Sequence, residues 1–166
     1  AMTEHRAADA ERLWTHVVKG PDPDDCWIWT GAVGDDGYGR FWTAGDGIRQ
    51  RTMRPQRFLY RHLTGIDLPP STMLLHRCDV ALCVHVDVDP AVSHLRIGGA
   101  ADNQRDAARA GRQRNRFTIE KYASLPRADR VARSRRLRDA VRDHGWDPQL
   151  IARALSDVGS EHPMLW

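Results

Sequence analysis

Long apolar runs are missing from this 166-residue chain. Without about 18 consecutive apolar residues, no membrane-spanning helix is expected. The first residues include Thr3, Glu4, His5 and Arg6, too polar for a secretory leader, so the expected location is cytoplasmic. Cysteine is scarce and odd in number, three in all, which excludes a fully paired disulfide framework. Cys78 and Cys83 stand among histidines, a setting that favours thiolates on a metal over a bridge in a reducing compartment. Internal repeats and low-complexity tracts are absent, apart from an arginine bias. What is present is a 41% hydrophobic composition, enough to bury a core and too high for a disordered chain.

The net charge is only +3, but it is unevenly spread. Between Arg105 and Arg153 fall 14 of the 25 Lys and Arg and 6 of the 22 acidic residues, a local balance of +8 that leaves −5 for the rest. All but one of the 14 are arginine, whose planar fork suits bidentate phosphate contact. Such a segment is either the electrostatic footprint of a nucleic-acid binder or the solvated face of a helix. Charge alone does not separate the two.

Along the chain, residues 4–18 read as a helix with Leu13, Trp14, Val17 and Val18 on one side. The Gly20–Asp25 segment breaks it. Cys26–Thr30 and Gly39–Trp42 are short aromatic runs around a Gly-Asp turn, the signal of a β-hairpin. Residues 55–64 read as a helix with Pro55 in its first turn and Gly65 as its stop. Met73–His76 and His94–Ile97 read as strands, and about 101–110 as a helix stopped by Gly111. Arg127–His144 is a basic helix, and Pro148–Leu155 a last one. The expected organisation is an N-terminal helix (1–20), a central domain (21–116) and a basic helical arm (117–166). The arm is either a helix-turn-helix or a helical hairpin packed on the core. The fold class is α+β.

Eight side chains with metal-binding or acid–base chemistry fall within 31 residues: His76, Cys78, Asp79, Cys83, His85, His94, Asn103 and Asp106. They lie on the expected strand–loop–strand–helix unit. Phosphodiester hydrolysis needs a base to take a proton from water and a positive centre to stabilise the departing oxygen. A neutral imidazole suits the first task near neutral pH. Cys78 and Cys83 invite a structural Zn²⁺ site, with His85, His94 and Cys26 as candidates for the other ligands. Packing beside Trp27 is the plainer reading of Cys26. Trp27, Trp29, Trp42, Tyr38 and Phe41 could form a base-stacking platform, but their alternating spacing favours core packing.

The segments Leu75-His76-Arg77-Cys78-Asp79, Cys83-Val84, His94-Leu95 and Ala101 to Asp106, with Gly111-Arg112 behind them, resemble the HNH endonucleases of the ββα-metal superfamily. The closest likeness is to the phage-type branch with paired cysteines. Upstream, Cys26-Trp27-Ile28-Trp29-Thr30-Gly31 and Gly37-Tyr38-Gly39-Arg40-Phe41 match the aromatic hairpin that often precedes this core. Pro55-Gln56-Arg57 stands where a histidine–arginine pair is common. The resemblance spans about residues 26–112. It implies a ββα-metal core and a nuclease that hydrolyses DNA with one divalent metal, Mg²⁺ or Mn²⁺. His76 becomes the general base, His94 the middle histidine that steadies the site, and Asn103 a ligand of the catalytic metal.

Two departures follow from the same likeness. Many relatives carry a metal-binding Asp or His immediately before the catalytic histidine, where this chain has Leu75. Asp79, Asp102 or Asp106 is then expected to help hold the metal, or water fills the gap, or the activity is reduced. The Cys83–His94 loop is longer than expected and contains Asp87 and Asp89, either of which could enter the site. Arg57, Arg77 and Arg105 near the core, and Arg130, Arg133, Arg135, Arg136 and Arg138 in the arm, are the candidate DNA contacts. The expected partner is DNA, with the chain a monomer or a homodimer. The alternatives are a DNA-binding module that has lost cleavage and a zinc-stabilised interaction domain.

Overall fold

A computed structural model of the chain describes residues 2–44, 51–109 and 126–156, with side chains over 7–44, 51–105 and 126–156. The fold is α+β. Helix α1 (Met2–Trp14) turns Ala10 and Leu13, three residues apart, into the core. It ends earlier than the sequence pattern suggests. Val17 and Val18 leave it for strand β1 (Val17–Lys19), which pairs antiparallel with β2 (Trp27–Trp29). β-Branched valines prefer the extended backbone, and the pairing sets the Lys19 ammonium over Trp14 and Trp27, 4.4 and 4.0 Å from the ring centres.

The expected aromatic hairpin is divided between two pairs of strands. β2 pairs with β1, and β3 (Phe41–Thr43) pairs with β4 (Arg51–Met53). A single antiparallel bridge between Val33 and Gly39 is all that joins the two flanks of the Gly-Asp turn as strand pairing. Core packing explains the division. Trp29, Phe41 and Phe58 meet edge to face, with centroids 5.8 and 5.1 Å apart, a favoured aromatic geometry. Trp42 alternates to the opposite face and is 55% exposed, so the expectation of core packing fails for that residue.

Helix α2 (Pro55–Thr64) begins with proline at its first turn and ends where Gly65 adopts φ 73° and donates its N–H to Arg61. It buries Phe58 and Leu59. Strands β5 (Met73–His76) and β6 (Leu95–Gly98) are antiparallel, with His76 opposite Leu95 and Met73 opposite Gly98. Helix α3 (Ala100–Arg109) follows directly. A Cβ on Gly98 would lie 2.5 Å from Leu75 Cδ1 and 3.2 Å from the Asp102 Cβ. Glycine there therefore lets the start of α3 close over β5. The Asp102 carboxylate accepts the Gly99 N–H at 2.9 Å and fixes the first turn of the helix that carries Asn103.

Helices α4 (Arg127–His144) and α5 (Pro148–Ser156) pack on each other across Gly145. Asp147 caps α5 by accepting the N–H groups of Gln149 and Leu150. Leu137, Val141 and Ala154 join Leu13, Ile28, Trp29, Leu59, Leu82 and Val84 in one apolar cluster. The basic helix thus lays its apolar edge on the core. No described helix is long and apolar enough to cross a membrane.

Candidate metal centre and histidine site

The sulfurs of Cys26, Cys78 and Cys83 and a ring nitrogen of His94 all lie within 4.8 Å of one another. His94 Nδ1 is 3.5 Å from both Cys26 Sγ and Cys83 Sγ. Tetrahedral zinc with Zn–S bonds near 2.3 Å sets its sulfurs about 3.8 Å apart, so this donor set can hold a metal ion such as zinc. Backbone pairing explains why these four meet. Trp29 N–H donates to Leu82 O and Val84 N–H to Trp27 O, at 2.9 and 2.8 Å. That lays the start of β2 alongside residues 82–84 and carries Cys26 to Cys83. Asp79, with φ 58°, turns the chain sharply after Cys78; aspartate tolerates this left-handed conformation. His94 reaches the cluster from the start of β6.

The thiols are electrostatically interdependent. Hydrogen bonds from Cys26 and Cys83 hold Cys78 well below the usual thiol range. Cys26 is pushed up, first by its hydrogen bond to Cys78, and Cys83 is pushed up first by burial. A divalent cation would offset the repulsion among three thiolates, which is the donor chemistry of a structural zinc site.

Two expectations about this cluster are corrected. Cys26 is one of its members, besides packing against the apolar core with Trp27. His85 is not a member. Its ring stacks on Trp27 with centroids 4.3 Å apart and planes 8° apart, and its Nδ1 is 2.7 Å from the Asp25 carbonyl oxygen. That bond and the stack turn the imidazole out of the donor set, although its centroid lies 4.4 Å from that of His94.

His76 closes β5 beside the cluster. Its Nε2 is 2.9 Å from the carbonyl oxygen of Cys83. A carbonyl only accepts, so Nε2 carries the hydrogen and the neutral ring keeps its lone pair on Nδ1. Burial, the largest influence, lowers the His76 pKa, and the charge of Arg54 lowers it further. The Cys78 charge, the bond to Cys83 and Asp79 act in the opposite direction without reversing the net fall. The imidazole is therefore neutral near pH 7. The Tyr38 ring stacks nearby, with centroids 6.2 Å apart and planes 29° apart.

The other candidate residues are more dispersed. Asn103 is exposed on the first turn of α3. Leu75 is buried, 5% exposed. Asp79 is exposed, and its charge acts on Arg133. Asp102 is engaged with Gly99 and Arg105. Asp87 and Asp89 accept N–H groups of their own loop, at 2.8 Å each, and so shape that loop. The Asp106 side chain, Gly111 and Arg112 lie outside the described residues. Among the described residues, the cysteine–histidine cluster is the one group of three or more Cys, His, Asp or Glu placed to share an ion.

Several candidate arginines serve the fold. Arg57 donates to three backbone carbonyls, those of Thr72, Leu68 and Pro69, at 2.5, 2.8 and 2.8 Å. Arg77 donates to Pro90 and Ala91. Arg133 bonds the Leu155 carbonyl at 3.0 Å, and Arg138 pairs with Asp139. Arg130, Arg135 and Arg136 are exposed on α4, and Arg105 on α3.

Sequence reasoning passed over Arg54. It is the residue before α2, and its guanidinium lies 4.0 Å over the Tyr38 ring and 3.1 Å from Asp36. No motif marks it, since its neighbours Asp36 and Tyr38 come from a turn some sixteen residues upstream.

The chain is 33% identical over 90 residues to Protein 7.7 of Escherichia phage T7, which covers 54% of this chain and 60% of that protein. It is 29% identical over 94 residues to Protein 2.8 of the same phage, 57% of each. The chain thus spans less than two thirds of the length of the curated relatives it matches. No family model and no solved structure matches.

Proposed function

We propose that this chain is a metal-dependent DNA endonuclease or nickase of the HNH type, with a ββα-metal core and His76 as its general base. The observation that carries the reading is the hydrogen bond from His76 Nε2 to the Cys83 carbonyl, 2.9 Å. It leaves Nδ1 as the basic atom of a ring that burial keeps neutral. Support also comes from the order of β5, β6 and α3, with His76 on β5, His94 immediately before β6 and Asn103 on α3, in the sequence order of that family.

In the proposed reaction, His76 Nδ1 takes a proton from water. The water oxygen forms a bond to phosphorus as the bond to the 3′ oxygen breaks. The products are a 5′-phosphate and a 3′ hydroxyl, the latter protonated from solvent. A bound Mg²⁺ or Mn²⁺ would neutralise charge on the leaving oxygen, and Asn103 and Asp106 are the residues proposed to help hold it. His94, facing the thiols through Nδ1, is better assigned to the zinc cluster than to proton transfer. The cluster has a supporting part: it anchors Cys83, whose carbonyl orients the base. The exposed arginines of α4 would meet the phosphate backbone, with binding that weakens as salt rises.

A second reading is a DNA-binding module of the same fold without cleavage. Leu75 favours it, because it is apolar and buried at the position where relatives place a metal ligand. Plasmid nicking with Mg²⁺ or Mn²⁺, wild type against His76→Ala, separates the two. Nicking that disappears in the variant supports the endonuclease. Inert wild-type protein that still binds DNA establishes the second reading instead.

A further inference from the structure

An open cleft of about 300 Å³ is lined by Asp36, Arg40, Thr52, Met53 and Arg54. Three segments build it: the turn before β3, strand β4 and the residue that leads into α2. Asp36 ties two guanidinium groups together, its carboxylate lying 3.0 Å from Arg40 and 3.1 Å from Arg54. The same carboxylate accepts the Tyr38 N–H at 3.1 Å. Gly34 makes room for Arg40, since a Cβ there would fall 2.5 Å from the guanidinium carbon. Arg54 is held flat by Tyr38, 4.0 Å below it, and Tyr38 in turn stacks on His76. The order in space is Arg40, Asp36, Arg54, Tyr38, His76.

We infer that Arg54 and Arg40 form a subsite for a DNA phosphodiester, binding a phosphate next to Tyr38, whose ring neighbours His76. The inference rests on the nuclease reading and names the part of the site that grips the substrate. Arg54 commits one N–H group to Asp36, and a guanidinium carries five. Its side chain is 42% exposed, whereas Arg40, 28% exposed, already donates to the Gly39 carbonyl and pairs with Asp36 and Asp35, so Arg54 is the readier of the two to meet a phosphate. Asp36 fixes their geometry before substrate arrives, which lowers the ordering cost of binding. Asp35, 3.9 Å from Arg40 and paired with Arg127, is the other anion at this edge. Arg40, Arg54 and Arg127 outnumber the two carboxylates, and the cleft keeps a net positive charge.

The test is binding of a fluorescently labelled DNA duplex by anisotropy over a salt series, run without divalent metal. Nicking assays with metal accompany it. Arg54→Gln should weaken binding about tenfold at moderate salt and lower the slope of log affinity against log salt by about one. Arg54→Lys, which keeps the charge and loses the fork, should keep most of the slope and still slow nicking. Circular dichroism verifies that both variants are folded; if Arg54→Gln is not, Arg40→Gln carries the slope measurement. A slope and affinity equal to wild type in the folded glutamine variant overturns the subsite, even if wild type cuts. An Arg54-dependent slope in a protein that never cuts keeps the subsite and removes the nuclease. Wild type that does not bind DNA overturns both.

Discussion

His76 donates a hydrogen bond from Nε2 to the backbone carbonyl of Cys83 across 2.9 Å, and the sulfur of that same cysteine belongs to the candidate metal cluster. One residue therefore ties the two halves of the site together. With a metal bound, the sulfur would anchor the loop, while the carbonyl selects the tautomer of the histidine. A disturbance of the cluster should reach the base through a single peptide unit.

The first prediction concerns metal content. Purified protein should contain about one equivalent of zinc by elemental analysis. Cys26→Ser and His94→Ala should each fall well below one equivalent and melt at lower temperature, because each removes a donor from a four-donor set. His85→Ala should keep its zinc, since that ring bonds the Asp25 carbonyl and stacks on Trp27. Equal zinc in wild type and Cys26→Ser would remove the cluster from consideration as a zinc site.

The second prediction follows from the His76–Cys83 bond. His76→Ala should keep its fold and its zinc, yet lose about 10²- to 10⁴-fold in nicking rate, the usual worth of a positioned general base. Cys83→Ser should lose both zinc and nicking, because it releases the loop whose carbonyl holds the imidazole. A Cys83→Ser protein that has lost zinc but nicks at the wild-type rate would uncouple the two functions.

The elements whose signals are local were legible in the sequence. Helix α4 runs over Arg127–His144 as its proline and glycine boundaries imply, and α2 begins and ends at Pro55 and Gly65 as expected. The strand, strand, helix order around His76 was readable from short apolar runs and the Gly98-Gly99 turn. Strand partners were not readable. Arg51-Thr52-Met53 has no apolar alternation, and only its pairing with β3 makes it a strand. The placement of Cys26 depends on backbone bonds between Trp27, Trp29 and the 82–84 segment, which no spacing rule within 26–30 encodes. His85 and His94 were equivalent candidates as letters; a carbonyl from Asp25 and the face of Trp27 separate them. Arg57 had the chemistry of a phosphate ligand, but three nearby carbonyls take up its donors.

The third prediction tests whether the basic helix is part of the core. Leu137 is 1% exposed and belongs to the cluster that contains Leu13 and Ile28. Leu137→Ala should destabilise the protein by about 3 kcal/mol, within the range for a buried leucine truncated to alanine. Urea unfolding should remain one transition with an unchanged slope and a lower midpoint. Two separated transitions, with the first alone shifted, would make the arm an independent unit.

The fourth prediction concerns pH. Burial is the largest single influence on Asp36 and acts to raise its pKa. The hydrogen bonds from Arg40 and the Tyr38 N–H, with the charges of Arg40 and Arg54, outweigh it, and the net shift is downward. An unfolded aspartate titrates near pH 3.9, so folding binds the ionised form preferentially. The stabilisation is complete above about pH 4 and is lost as pH falls through the lower folded value, because the unfolded chain then binds the proton first. Asp36→Asn removes that proton site. Its urea midpoint should fall less steeply than that of wild type below about pH 4, while the two curves run parallel between about pH 5 and 7. Parallel curves over the whole acid range would show that Asp36 titrates alike in the folded and unfolded chain. The carboxylate would then not be what holds Arg40 and Arg54 together.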